Sequence, residues 1–208
     1  MTKFRRNFAG WLAFGMAGLL LMSCSTTQVK SVWKDPSYFG RPQKVMVVAV
    51  AKEAISRRIF EDEFVLQLKA RGTDAIASYT VLPDKKQDDQ ESIAKMLVKL
   101  GADSLLISRL VSKRSVRVYY PATVSHRPHY YGKWPDYYMH GYETINTPGY
   151  TTKYEYSLME TNLYDASNDN LLWAATTESG GSYFNQAMIK PYIASILNIM
   201  FEHGLLTK

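Results

Sequence analysis

The chain reads as an α/β (α+β) fold, a mixed sheet in two or three layers with the order β-α-β-α-β-β-β-α. Three observations predict it. Lys44 to Ala51 (KVMVVAVA) is a continuous apolar, β-branched run, as expected of a strand buried on both faces. Two strand–helix–strand units follow one another between residues 44 and 111, and such units imply parallel strands joined by right-handed crossovers. Asp165 to Asn170 (DASNDN) then separates two strand patterns as a hairpin turn, which makes the sheet mixed.

The elements follow in order. Val29-Lys30-Ser31-Val32-Trp33 is a short edge-strand pattern within an approach segment, and Asp35-Pro36 and Gly40-Arg41-Pro42 are turn signals. After the 44–51 strand, Glu53 to Arg71 forms a helix. Its apolar stripe is Ile55, Ile59, Phe60, Phe64, Val65, Leu66 and Leu68; Arg57, Arg58, Glu61, Asp62 and Lys69 fill the other side, and Gly72 is a C-terminal stop. Asp74 to Leu82 is the second strand, ended by Pro83-Asp84, and Lys85 to Gln90 is a charged loop. Glu91 to Leu100 is a second amphipathic helix with Gly101 as its stop. Ser104 to Val111 is the third strand, with a continuation through Ser115 to Tyr120, where Val116 and Val118 alternate with Arg117 and Tyr119. Thr152 to Tyr164 and Leu171 to Thr177 form the hairpin. Asn185 to His203 is the last helix, with Met188, Tyr192, Ile196, Ile199 and Met200 inside and Pro191 either kinking it or falling in its first turns.

The first two dozen residues carry a separate signal. Lys3, Arg5 and Arg6 form a basic start, and Phe8 to Met22 runs without a charge. That run is shorter than the ~20 apolar residues a bilayer span needs, so it reads as a signal-peptide core. It ends in Leu21-Met22-Ser23-Cys24, which resembles the bacterial lipobox, although Met22 is larger than the usual residue there. The resemblance implies a signal peptide at 1–23, diacylglyceryl transfer to the Cys24 thiolate, and an acylated mature N-terminus. Two or more acyl chains anchor stably where one anchors marginally. The alternative is an ordinary secretory signal with an incidental cysteine. Ser25 follows the cysteine, and an aspartate there is the inner-membrane retention signal in enteric-type bacteria. The resemblance therefore implies a periplasm-facing protein on the outer membrane. Cys24 is the only cysteine, so an acylated chain has no possible disulfide.

Composition limits the remaining classes. The chain has 208 residues and a formal charge of +6. Three of those cations belong to the signal, and the balance after it is +3, without the concentrated basic face of a nucleic-acid binder. The organisation expected is a tether and edge strand at 24–43 and a single α/β domain at 44–208. KVMVVAV (44–50), RRIFEDEFVLQLKARG (57–72) and GADSLLISRLV (101–111) resemble the α/β domain of several bacterial envelope proteins. These include the N-terminal domain of the Tol-system translocation protein, the curli-secretion lipoprotein, the lipoprotein activators of penicillin-binding proteins, and small outer-membrane lipoproteins of unknown function. The likeness covers roughly residues 44–111 and, more weakly, 152–206. It implies an architecture and no catalytic residue.

Tyr119 to Tyr150 (YYPATVSHRPHYYGKWPDYYMHGYETINTPGY) stands apart, as an insertion crowded with tyrosine, histidine and proline. So long a connection in a compact domain is usually functional or disordered. Tyrosine combines a broad apolar face with one polar handle, which suits contact surfaces. Tyr130, Tyr131, Trp134, Tyr137 and Tyr138 are the candidate contact residues, for another envelope protein, a glycan or peptidoglycan; the alternative is a poorly ordered low-complexity insertion. His126, His129 and His140 could supply three imidazoles, but their spacing falls on a proline-broken stretch with no cysteine, and no metal or other cofactor is expected. His203 lies near a helix C-terminus, where the dipole favours a cation.

No catalytic constellation stands out. Gly-rich phosphate loops, Gly-x-Ser-x-Gly and His-Glu-x-x-His are absent from the sequence. Gly180-Gly181-Ser182 reads as a flexible turn, and the consecutive Glu61, Asp62 and Glu63 read as mostly solvated. The expectation is a non-enzymatic, lipid-anchored periplasmic protein that binds or assembles envelope partners. The alternatives are a small-ligand or metal carrier, or an unrecognised enzyme, using the Tyr/His-rich segment.

Overall fold

The computed structural model describes residues 27–82, 89–126, 133–135, 144–180 and 186–207. The strands are β1 (Thr27–Lys34), β2 (Lys44–Val50), β3 (Asp74–Ala77), β4 (Ser104–Tyr120), β5 (Thr123–His126), β6 (Thr144–Thr147), β7 (Tyr150–Asp165) and β8 (Leu171–Gly180). The helices are α1 (Ala54–Ala70), α2 (Gln90–Leu100) and α3 (Gln186–Glu202). Six strands form one mixed sheet in the order β1-β8-β7-β4-β2-β3, and β5 and β6 form a separate two-stranded ribbon. β2 is parallel to β3 and β4, while β4–β7, β7–β8 and β8–β1 are antiparallel.

Helices cover both faces. Val45, Val47 and Ala49 of β2 meet Phe60, Phe64 and Leu68 of α1 and Tyr192, Ile193 and Ile196 of α3. Met46 and Val48 point the other way, towards Leu97 of α2. The continuous apolar run of β2 is therefore explained by burial on two sides, and the architecture is three-layered. On the α3 side, the hydroxyls of Ser108, Thr161 and Tyr192 form a buried chain with steps of 2.8 and 2.9 Å, which satisfies polar groups from β4, β7 and α3 together. Pro191 lies inside α3 near its start, where few intrahelical bonds are lost. The 165–170 turn is tight, with Asp169 at φ 60° and Asp165 capping Ser167 through its backbone N–H and hydroxyl.

Several expectations are corrected. The second strand stops at Ala77 rather than Leu82, and Ser78–Thr80 is a 3-10 turn. The cause is Glu61, which is buried rather than solvated. Its Oε1 accepts from the Ala49 N–H at 3.0 Å and the Ser78 hydroxyl at 2.8 Å, and its Oε2 from the Tyr79 N–H at 3.0 Å. Those bonds draw the chain off the strand path towards α1. Arg57, assigned to the polar side, is buried too, whereas Ile55 and Leu66 are exposed and do not join the inner stripe. The strand order gains β5 and β6; β4 runs on through Tyr120 as its alternation implies, and Tyr150 opens β7 rather than closing a connecting loop.

Candidate functional site

β4 and β7 are far longer than their neighbours. β2 pairs with β4 only as far as Arg109, and β8 pairs with β7 only from Tyr156 onward. Beyond those limits β4 and β7 pair with each other alone, from Ser115↔Glu155 to Tyr120↔Tyr150. The result is a two-stranded arm projecting past the sheet, with β5–β6 at its far end. Just past the last β2 pairing, while β8 still flanks β7, β4 carries a bulge between Leu110 and Ser112 that leaves Val111 without an opposite residue. Such bulges bend a strand and increase its twist.

Residues directly opposite share a face of the ribbon, and successive residues alternate between faces. One face therefore holds Arg114, Val116, Val118 and Tyr120 with Tyr150, Thr152, Tyr154 and Tyr156. The rings of Tyr120 and Tyr150 stack at 5.0 Å, and the Tyr120 and Tyr154 hydroxyls lie 2.8 Å apart. The other face holds Lys113, Arg117 and Lys153, with Glu155 bonded to Lys153 at 2.8 Å. At the tip, Tyr119 closes over Gly149. A Cβ on Gly149 would lie 2.5 Å from the Tyr119 hydroxyl and 3.0 Å from the Ala122 nitrogen, so a larger residue there must displace the Tyr119 ring.

A charge cluster holds the base of the arm. Glu178 of β8 accepts from Arg114 Nε at 2.8 Å and pairs with Lys30 Nζ at 2.8 Å, linking β1, β8 and β4. The hydrogen bond from Arg114, followed by that from Lys30, lowers the Glu178 pKa to about 2. Arg114 also lies over the Tyr156 ring at 4.6 Å.

A second concave feature lies where β2 ends and the chain turns into α1, beside Leu110 and Lys113 of β4. The crevice has a volume of about 680 Å³ and is lined by residues including Val50, Lys52, Ser56, Arg57, Leu110 and Lys113. Behind it stands Glu61, whose pKa is raised by burial against the opposing effect of its three donors and of Arg57.

Trp134 is exposed within the short described stretch 133–135. Cys24, Tyr130, Tyr131, Tyr137 and Tyr138 lie outside the described residues, as do His129 and His140. Among the described residues no three His, Cys, Asp or Glu side chains gather in a way that could hold a metal, and no helix is long and apolar enough to cross a membrane. Sequence reasoning missed Glu61 and Glu178. Glu178 lies just past the strand boundary read from the sequence, and neither residue's partners are near it in the chain.

No known protein family matches the sequence, and no characterised protein matches it either. Solved structures with a similar chain path include the PelC dodecamer from Paraburkholderia phytofirmans, at 17% identity over 82% of this chain and 94% of that one, with a TM-score of 0.46. Lipoprotein GNA1162 from Neisseria meningitidis is similar at 13% identity over 77% of this chain and 99% of that one, with a TM-score of 0.41.

Proposed function

We propose that this chain is a lipid-anchored protein of the bacterial envelope, held through Cys24 on the periplasmic face of the outer membrane, and that it binds or assembles envelope partners rather than catalysing a reaction. The observation that carries this reading is the β4–β7 arm. Its residues add almost nothing to the buried core, yet it is ordered by ring stacking and a charge cluster at its base. A structure that presents aromatic side chains without using them for its own core is suited to contact with another molecule. β5 and β6 stand at the end of that arm, and the chain between them carries Tyr130, Tyr131, Trp134, Tyr137 and Tyr138, the proposed contact residues.

The test is replacement of residues 121–149 by a short Gly/Ser turn. Loop closure depends weakly on length, so the fold should tolerate the change. The expected result is loss of the protein's crosslinks to envelope partners in intact cells with little change in Tm. Crosslinks that survive unchanged reject the contact role.

The crevice beside Arg57 supports a second reading, a small-ligand carrier. Arg57→Ala and Lys113→Ala would then remove a co-purifying small molecule detectable by native mass spectrometry. Identical native spectra for these variants and the wild type reject it.

A further inference from the structure

The register across the sheet places Thr27, the first described residue, at the end of the sheet from which the arm projects. Thr27 lies opposite Ser179, Ser179 opposite Ser157, and Ser157 opposite Lys113, so these four residues form one row. The Thr27 and Ser179 hydroxyls are 2.7 Å apart, which fixes the start of β1 there. β1 runs antiparallel to β8, so β1 begins at the arm side of the sheet. Cys24 is three residues upstream and can be no more than about 11 Å away along the chain. The arm continues for seven residues past Lys113, about 24 Å at the rise of an antiparallel strand.

The arm's two faces suit what lies at that end. An element that rests in the interface of a membrane has one apolar, aromatic face and one cationic face; tyrosine favours the headgroup level, and Lys and Arg favour anionic headgroups. The arm has both, with Val116, Val118, Tyr120, Tyr150 and Tyr154 on one side and Lys113, Arg117 and Lys153 on the other. Among the described residues no helix covers the aromatic side.

We infer that the β4–β7 arm lies against the anionic lipid surface that holds the chain, with the Tyr120–Tyr150–Tyr154 face towards the acyl boundary and the cationic residues among the headgroup phosphates. The inference rests on the lipid-anchor reading proposed above and deepens it: the anchor and the arm give two separated attachments, so the domain holds a defined orientation and the 121–149 insertion is delivered along the membrane plane to partners seated in or on it.

The experiment uses the full mature protein, purified in detergent and reconstituted into vesicles of phosphatidylcholine alone or mixed with phosphatidylglycerol. Amide hydrogen exchange is followed by mass spectrometry, with intact mass reporting acylation. Exchange within 113–120 and 150–156 is expected to slow several-fold on the phosphatidylglycerol vesicles relative to detergent, and less on neutral ones. The triple variant Lys113→Glu, Arg117→Glu, Lys153→Glu should lose most of that slowing, while β2 and α3 peptides keep their protection and so report an intact fold. Tyr150→Ser with Tyr154→Ser should lose it on both vesicle types. Arm exchange that is the same on vesicles and in detergent, in a chain whose mass shows acylated Cys24, overturns the inference and leaves the anchor standing. A chain without acyl mass overturns the anchor reading, and the membrane contact with it. A photo-crosslinker at position 154, on the aromatic face, that captures protein and no lipid in cells also overturns the membrane contact.

Discussion

Two glutamates have pKa values displaced in opposite directions, and each predicts its own pH dependence. Glu61 is buried, and burial raises its pKa above the ordinary 4.5. Its ionised form is disfavoured by folding, so the stability it contributes is full at pH values below 4.5 and declines as pH rises through the folded value. Glu61→Gln should remove that decline from urea unfolding curves measured across this range. Glu61→Leu should cost about 2 kcal/mol or more at any pH, because the Ala49 and Tyr79 N–H groups and the Ser78 hydroxyl lose their acceptor. A leucine variant as stable as wild type would show that these donors find other partners. Glu178 has the opposite sign. Its pKa is lowered to about 2, so its contribution is full above 4.5 and is lost as pH falls from there towards 2. Glu178→Gln should abolish the acid-dependent rise in amide exchange of β1; a rise of the same size in the variant would place the acid sensitivity elsewhere.

The regular elements were legible in the sequence where one requirement dominated. β2 needed apolar residues on both faces, and KVMVVAV has nothing else after its lysine. α3 was readable from the spacing of Tyr192, Ile196, Ile199 and Met200. The end of β3 was not legible, because it depends on a carboxylate from a helix seventeen or more positions earlier in the chain. The bound of α1 was legible and its inner face only partly, since Ile55 and Leu66 are apolar yet exposed. The tyrosine-rich segment was recognised as unusual, but composition could not show that its flanks pair as strands. At the tip, Gly149→Ala should push the Tyr119 ring aside, raise exchange in 119–122 and 149–151, and leave the thermal midpoint of the core nearly unchanged. Adding Tyr119→Phe should restore part of the protection, since the closest clash is with the hydroxyl. If Gly149→Ala leaves tip exchange at wild-type rates, Tyr119 does not hold the position described.

For the whole molecule, the anchor reading predicts that mature protein begins at an acylated Cys24 and that Cys24→Ala accumulates as unlipidated precursor. Intact mass placing the N-terminus elsewhere, without acyl mass, would falsify it. Ser25→Asp should move an enteric-type lipoprotein from outer- to inner-membrane fractions on a density gradient, and unchanged fractionation would reject the assigned sorting signal. The one-residue bulge at Val111 has a broader consequence. It lies beyond the last β2 pairing and before the first residue of the free ribbon, and Val111 itself is about half exposed. Deleting Val111 would leave the cross-strand partners from Ser112 to Tyr120 in place and change the bend and twist with which β4 enters the ribbon. Single-residue insertions and deletions at that position thus offer descendants of this chain a way to re-aim the same contact surface at a different geometry.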